Sequence, residues 1–185
     1  LIWIEKQIEK FQHQARSTKR QYVSGETLFI WGKQYYLSFQ PNSQKNGFEI
    51  KGDKVILSMR EESTVKQREN YVREQYRILL KAEIERLLPK WERLTELYCD
   101  SWQTKYMLTR WGTCNTEKKK LWFNLQLAQK PIECLEYVIL HELLHLKERT
   151  HNSVFISCMD LYMKDWRAVR KELNDLRLDY YNKVE

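Results

Sequence analysis

The sequence predicts an α+β fold, and three observations carry that reading. Strand-like stretches, rich in β-branched and aromatic residues, are confined to 24–59 and 105–127. Helical periodicity fills 61–100 and most of the chain after Pro131. No internal repeat or low-complexity linker separates them. Strands grouped apart from helices, rather than alternating with them, indicate α+β and not a parallel α/β sheet.

Leu1 to Phe11 places Ile4, Ile8 and Phe11 at helical spacing, which predicts a short amphipathic helix. His13 lies in the polar stretch that follows and reads as a surface residue. "SGETLFIWGKQYYLSF" and "GFEIKGDKVILSM" each hold two apolar runs around a glycine-bearing turn, WGKQ and KGDK, and predict two hairpins. From Glu61 to Asp100 the period becomes 3.6, with Val65, Tyr76, Leu79, Leu80, Ile84, Leu87 and Leu88 on one stripe. Pro89 is expected to end one helix and start a second through "WERLTELYC". "KYMLTRWG" and "KLWFNLQL" predict a strand pair about the polar turn "TCNTEKKK", whose lysines read as a solvated turn. Pro131 opens a helix to about Lys147, and 152–183 is mostly helical. One domain is expected over 1–185, with a helix and hairpins in 1–60 and the helical part in 61–185.

Hydrophobic residues make up 42% of the 185 and aromatics 13%, which excludes a disordered chain. No apolar run approaches the ~20 residues that span a bilayer, so no membrane partner is expected. The formal net charge of +7 permits nucleic acid, but the basic residues are dispersed and no nucleic-acid motif supports it. Cys99, Cys114, Cys134 and Cys158 form no CxxC, and reduced thiols in a cytoplasmic setting are the expectation. The oligomeric state is not legible.

The chemistry concentrates in "ILHELLHLKERTH", Ile139 to His151. Within it, HELLH is an HExxH pattern. On a helix, residues i and i+4 lie ~40° apart and one turn apart, so His141 and His145 can aim at one ion. Imidazole suits zinc, and catalytic zinc sites use three protein ligands and an open position. From the next position Glu142 can act as general base without being a ligand. Chance supplies HExxH in a chain of this composition on the order of 1% of the time, so a core helix with a wet side is the weaker reading. The third ligand is open. His151 would sit ~15 Å up a continuous helix and ~80° off the face, so it can ligate only if the helix breaks after about Lys147. Thr150 and Asn152 suit such a break. Asp160 and Glu172 on later helices are the competitors.

Residues 110–155 resemble the YgjP-like metallopeptidase domain family, relatives of the SprT-like and WLM zinc proteins. The resemblance rests on "RWGTC" at Arg110 to Cys114, "FNLQLAQKP" at Phe123 to Pro131, "YVILHELLH" at Tyr137 to His145 and "HNSVF" at His151 to Phe155. Thr113 and Phe123 depart from the family's usual Ser and Leu, and the lysine run replaces a glycine. The resemblance implies a minimal zincin-like fold: a small antiparallel sheet packed on helices that include the HExxH helix. It also implies one Zn²⁺ on His141, His145 and His151, with Glu142 as base. The family's usual leading strand pair is missing and the chain opens on Leu1, so a truncated N-terminus is expected.

Arg110, Asn124 and Tyr162 are the candidate substrate-binding residues, with Arg110 and Tyr162 also candidate oxyanion donors. Asn124 equally suits a turn cap, Arg110 an ion pair, Trp111 and Gly112 a tight strand end, and Cys114 a small buried site. An edge strand around Lys120 to Leu125 could take up an extended peptide. The expected activity is a zinc-dependent metallopeptidase acting on a peptide or small molecule. The alternatives are hydrolysis of a nucleoside triphosphate, a DNA-associated SprT-like protease and a non-catalytic metal module.

Overall fold

The computed structural model describes residues 20–42 and 44–175. The helix expected over 1–11, His13 and the end of the C-terminal helical stretch lie outside those residues.

Both expected hairpins form. β1 (Thr27–Ile30) and β2 (Lys33–Pro41) turn through Trp31 and Gly32, both at positive φ, the pattern of a type I′ turn. β3 (Gly47–Lys51) and β4 (Lys54–Met59) turn through Gly52, φ 61°. The strand order β1-β2-β4-β3 joins the two hairpins by a parallel β2–β4 pairing, from Tyr36↔Lys54 to Pro41↔Met59. Alternation then sends Leu28, Ile30, Leu37, Val55 and Leu57 to the buried face.

α1 (Val65–Thr95) starts at a capping box, where Thr64 Oγ1 accepts from the Gln67 amide and the Gln67 side chain accepts from the Thr64 amide. It runs straight through Pro89, which corrects the expected break. An interior proline costs ~3 kcal/mol. Leu87, Leu88 and Trp91 are all buried around it, each contributing roughly 1.5–3 kcal/mol, so packing outweighs the lost hydrogen bond. The helix stops at Glu96, in the left-handed region.

The second sheet departs from the expected strand pair. β5 (Ser101–Lys105), β6 (Gly112–Asn115) and β7 (Lys120–Asn124) are ordered β5-β7-β6, with β5 parallel to β7. Tyr106 to Trp111 is a loop, not a strand, and Leu125–Gln129 is a 3-10 helix. The buried Asn124 side chain explains both. Its amide donates to the carbonyls of Met107 (2.8 Å) and Arg110 (2.7 Å), curling that segment, while its oxygen caps Gln126. The candidate edge strand is corrected as well: β7 is paired on both sides, and the free edge beside the helices belongs to β6.

α2 (Ile132–Leu144), α3 (Ser153–Tyr162) and α4 (Trp166–Asp175) complete the described chain. α2 is buried nearly all round, between β6 and β7 on one side and α1 and α4 on the other. The β1–β2 turn braces its start: Trp31 and Gly32 donate to the carbonyls of Ala128 and Gln129, and Gly32 lies against Pro131. Among the described residues no helix is long and apolar enough to cross a membrane. All four cysteines are free thiols.

Candidate metal centre

His141, Glu142 and His145 project from the last turn of α2. After Leu144 the backbone tightens: the amides of Leu146 and Lys147 donate three residues back, to Leu143 and Leu144, and the helix unwinds. No residue from 145 to 152 adopts a positive φ, so the break needs no glycine. The chain reverses across Glu148. Its carbonyl accepts from His145 Nδ1 (2.9 Å) and its carboxylate from Asn152 Nδ2 (2.9 Å). Asn152 then caps α3, its side-chain oxygen accepting from the Phe155 amide. His151, immediately before this cap, is carried back to the α2 histidines.

His141 Nε2 lies 3.2 Å from His145 Nε2 and 3.0 Å from His151 Nε2, and the three ligand atoms are all within 4.8 Å of one another. Tetrahedral ligands at Zn–N distances of 2.0–2.1 Å would stand about 3.3 Å apart. The donor chemistry fits too. A carbonyl can only accept, so His145 Nδ1 carries the proton and Nε2 presents its lone pair to the centre. His141 Nδ1 faces the Tyr137 hydroxyl at 3.4 Å, one helical turn away. Burial, then the neighbouring His145 and His151 and the Arg170 charge, push His141 down to about 3, and burial also lowers His151. Both shifts favour the neutral imidazole that a metal requires. Phe155, 1% exposed, floors the cluster, with its ring centroid 4.8–5.0 Å from all three imidazoles.

Glu142 turns the other way, toward β6. Its side chain is 6% exposed and makes no hydrogen bond or ion pair with any described residue. Burial pushes its carboxyl up to about 8, against the pull of the Arg110 guanidinium. Gly112 makes room for it: a Cβ there would stand 2.7 Å from Glu142 Oε1 and 2.9 Å from Val138 Cγ1.

The other candidates are placed differently. Asp160 is held by Arg167 and by the indole N–H of Trp166, and neither it nor Glu172 joins the histidine cluster. Asn124 is fully buried with its side chain committed to Met107, Arg110 and Gln126, so the turn-capping role is the one it fills. Tyr162 ends α3 seven residues past Phe155, about 10 Å along the axis from the cluster. Arg110 is exposed, unpaired among the described residues, and its charge acts on Glu142. Burial raises the Cys114 thiol to about 11, which leaves it a poor nucleophile.

A family model for the YgjP-like metallopeptidase domain matches residues 1–176. The chain belongs to that family. It is therefore a hydrolase of the metallopeptidase class that works with a metal ion. Among solved structures, this YgjP-like chain is similar to the metallopeptidase zymogen abylysin of Pyrococcus abyssi, with 17% identity, a TM-score of 0.46 and coverage of 51% of this chain and 96% of that one. It is also similar to the zymogen of Methanocaldococcus jannaschii jannalysin, with 18% identity, a TM-score of 0.43 and coverage of 54% and 91%. No curated protein matches it.

Sequence reasoning missed three contributors: Tyr137, the Glu148 carbonyl and the space at Gly112. Tyr137 had a signal, since it stands one turn before His141 on the same helix face.

Proposed function

We propose that the protein is a zinc-dependent metallopeptidase in which His141, His145 and His151 hold one ion and Glu142 is the general base. The observation that carries this is the convergence of three imidazole nitrogens, with a buried carboxyl that has no partner among the described residues on Glu142, the residue next to His141, and with His151 exposed. A buried carboxyl without a partner is costly and is retained where chemistry uses it, and a bound divalent cation close by would favour its ionised, basic form. A zinc ion bound there supplies a nucleophilic water at neutral pH and polarises the carbonyl under attack.

The chain's own residues then divide the work. Glu142 accepts the proton of the attacking water on its carboxylate and returns it to the leaving nitrogen. The Glu148 carbonyl holds His145 in the tautomer that points Nε2 inward, and the Tyr137 hydroxyl, facing His141 Nδ1, is placed to accept that ring's proton. The free edge of β6, against Glu142 at Gly112, suits an extended peptide added as a strand. Arg110, whose charge acts on Glu142, is the candidate oxyanion donor. Four unpaired thiols suit a reducing, cytoplasmic compartment.

The deciding experiment incubates zinc-loaded protein with mixed peptides and, separately, nucleoside triphosphates. Peptide cleavage that falls at least ~100-fold in Glu142→Gln, with zinc content unchanged, is expected. Phosphate release without peptide cleavage would overturn the peptidase reading. Zinc affinity undiminished in His151→Ala would remove His151 from the ligand set.

A further inference from the structure

The second sheet turns one of its faces to the helices and leaves the other to solvent. Gly112 and Phe123 are direct partners, and a Cβ on Gly112 would meet Val138 and Glu142 of α2, so theirs is the packed face. Side chains alternate along a strand, and Thr113, Trp122 and Gln103, paired across β6, β7 and β5, therefore point the opposite way. Trp122 sits at the centre of this outer face, on the middle strand, and is only partly buried. Trp102 and Trp111 pack against the hydrophobic core, whereas Trp122 does not.

The fold gathers around this ring lysines that are separate in the sequence. Lys120 stands two residues before Trp122 on β7, with its ammonium 5.1 Å from the ring centroid. Lys105 on β5 pairs with Asn124, two residues after it. The two cations bracket the indole about 13 Å apart along the strand axis, at ~3.3 Å per residue. No acidic residue points outward from this face. At its rim the β6–β7 turn adds Lys118 and Lys119 against Glu117, and Asp100 precedes β5. None of these four lysines makes an ion pair with a described residue. Gln103, Thr113 and Asn115 complete the face with uncharged polar groups.

These features fit one chemistry. Lysines attract any polyanion, but an uncovered indole between them gains only from a ligand with a ring to lay on it. A single nucleic acid strand supplies both, phosphates for the ammonium groups and unpaired bases for the ring, while a duplex keeps its base faces stacked inside. We propose that the outer face of the β5-β7-β6 sheet binds single-stranded nucleic acid without sequence preference, a base stacking on Trp122 while Lys105 and Lys120 hold the flanking phosphates. The site is independent of the peptidase reading, because the metal centre lies across the sheet on the side of α2.

Fluorescence anisotropy with labelled oligothymidylate and oligouridylate of about 15 nucleotides tests it. At least one should bind the full chain with a Kd of about 1–100 µM at physiological salt, and their comparison separates DNA from RNA. Trp122→Ala should weaken binding by about tenfold or more, and Trp122→Phe, which keeps a ring, by less. Lys105→Gln with Lys120→Gln leaves the indole in place and should lower the slope of log affinity against log salt by about 1.4. Lys81→Gln with Lys164→Gln, an equal charge change at exposed positions on α1 and between α3 and α4, should leave the Trp122 dependence intact. Inorganic polyphosphate, polyglutamate and vesicles of phosphatidylserine and phosphatidylcholine are the ring-free polyanions. Binding to any of them as tight as to the oligonucleotides would mean that the face reads charge alone and would overturn the proposal. So would the absence of oligonucleotide binding up to about 1 mM, or affinity unchanged both in the Trp122 variants and in the double lysine variant.

Discussion

Glu142 and Gly112 meet across the α2–β6 interface with no room for a methyl group. Gly112→Ala should therefore push the carboxylate aside. Peptide turnover is expected to drop by about 100-fold with zinc stoichiometry near one, because a displaced general base costs on the order of 10²–10⁴ in rate. Retained turnover would show that Glu142 tolerates the shift. Tyr137→Phe removes the hydroxyl facing His141 Nδ1, and zinc affinity, read by competition with a chelator, should weaken by about tenfold. At this scale the sequence is most legible where spacing alone dictates geometry. Positions 141, 142 and 145 fall on the last turn of one helix as the motif requires. The need for glycine at 112 is invisible, because it arises from a helix that reaches the strand only after folding.

The break between α2 and α3 shows what a short connection can do without a glycine. Glu148 anchors the reversal twice, through its carbonyl and its carboxylate. Asn152 closes it by capping α3. Asn152→Ala should cost about 1 kcal/mol in chemical denaturation, the usual worth of such a cap. It should also weaken zinc binding, since His151 is the adjacent residue. Full zinc affinity in this variant would mean that His151 is positioned independently of the cap. Other elements divide by how local their causes are. The Gly-bearing hairpin turns are written in adjacent residues. The loop at 106–111 is set by Asn124, more than a dozen residues later, and Pro89 stays inside a helix because Leu87, Leu88 and Trp91 pack against distant partners.

Across the whole molecule, the sheet orders were the least legible feature. Both sheets are completed by a parallel pairing, β2 with β4 and β5 with β7, and nothing local encodes which strands meet. The α+β class survives this because it depends on the grouping of elements and not on their order. Metal removal acts at the same scale, since α2 and α3 are joined through the histidine cluster. Zinc at 1,000 times its Kd should stabilise the fold by about 4 kcal/mol, equivalent to roughly 10 °C in Tm for a chain of this size. Thermal melts with and without chelator measure it, and coincident melts would mean that the centre does not bind zinc in the folded chain.

His151 follows His145 after only five intervening residues. If the three histidines hold an ion as proposed, then once it rests on the two imidazoles of α2 the third would arrive as a tethered group, at an effective concentration in the millimolar range or higher. Capture would then be a two-stage event, and so would loss, with the ion leaving through a form in which α3 has let go while α2 still holds it. Exchange with a chelator should then be set by how often this clasp opens, a local motion much faster than unfolding of the buried α2.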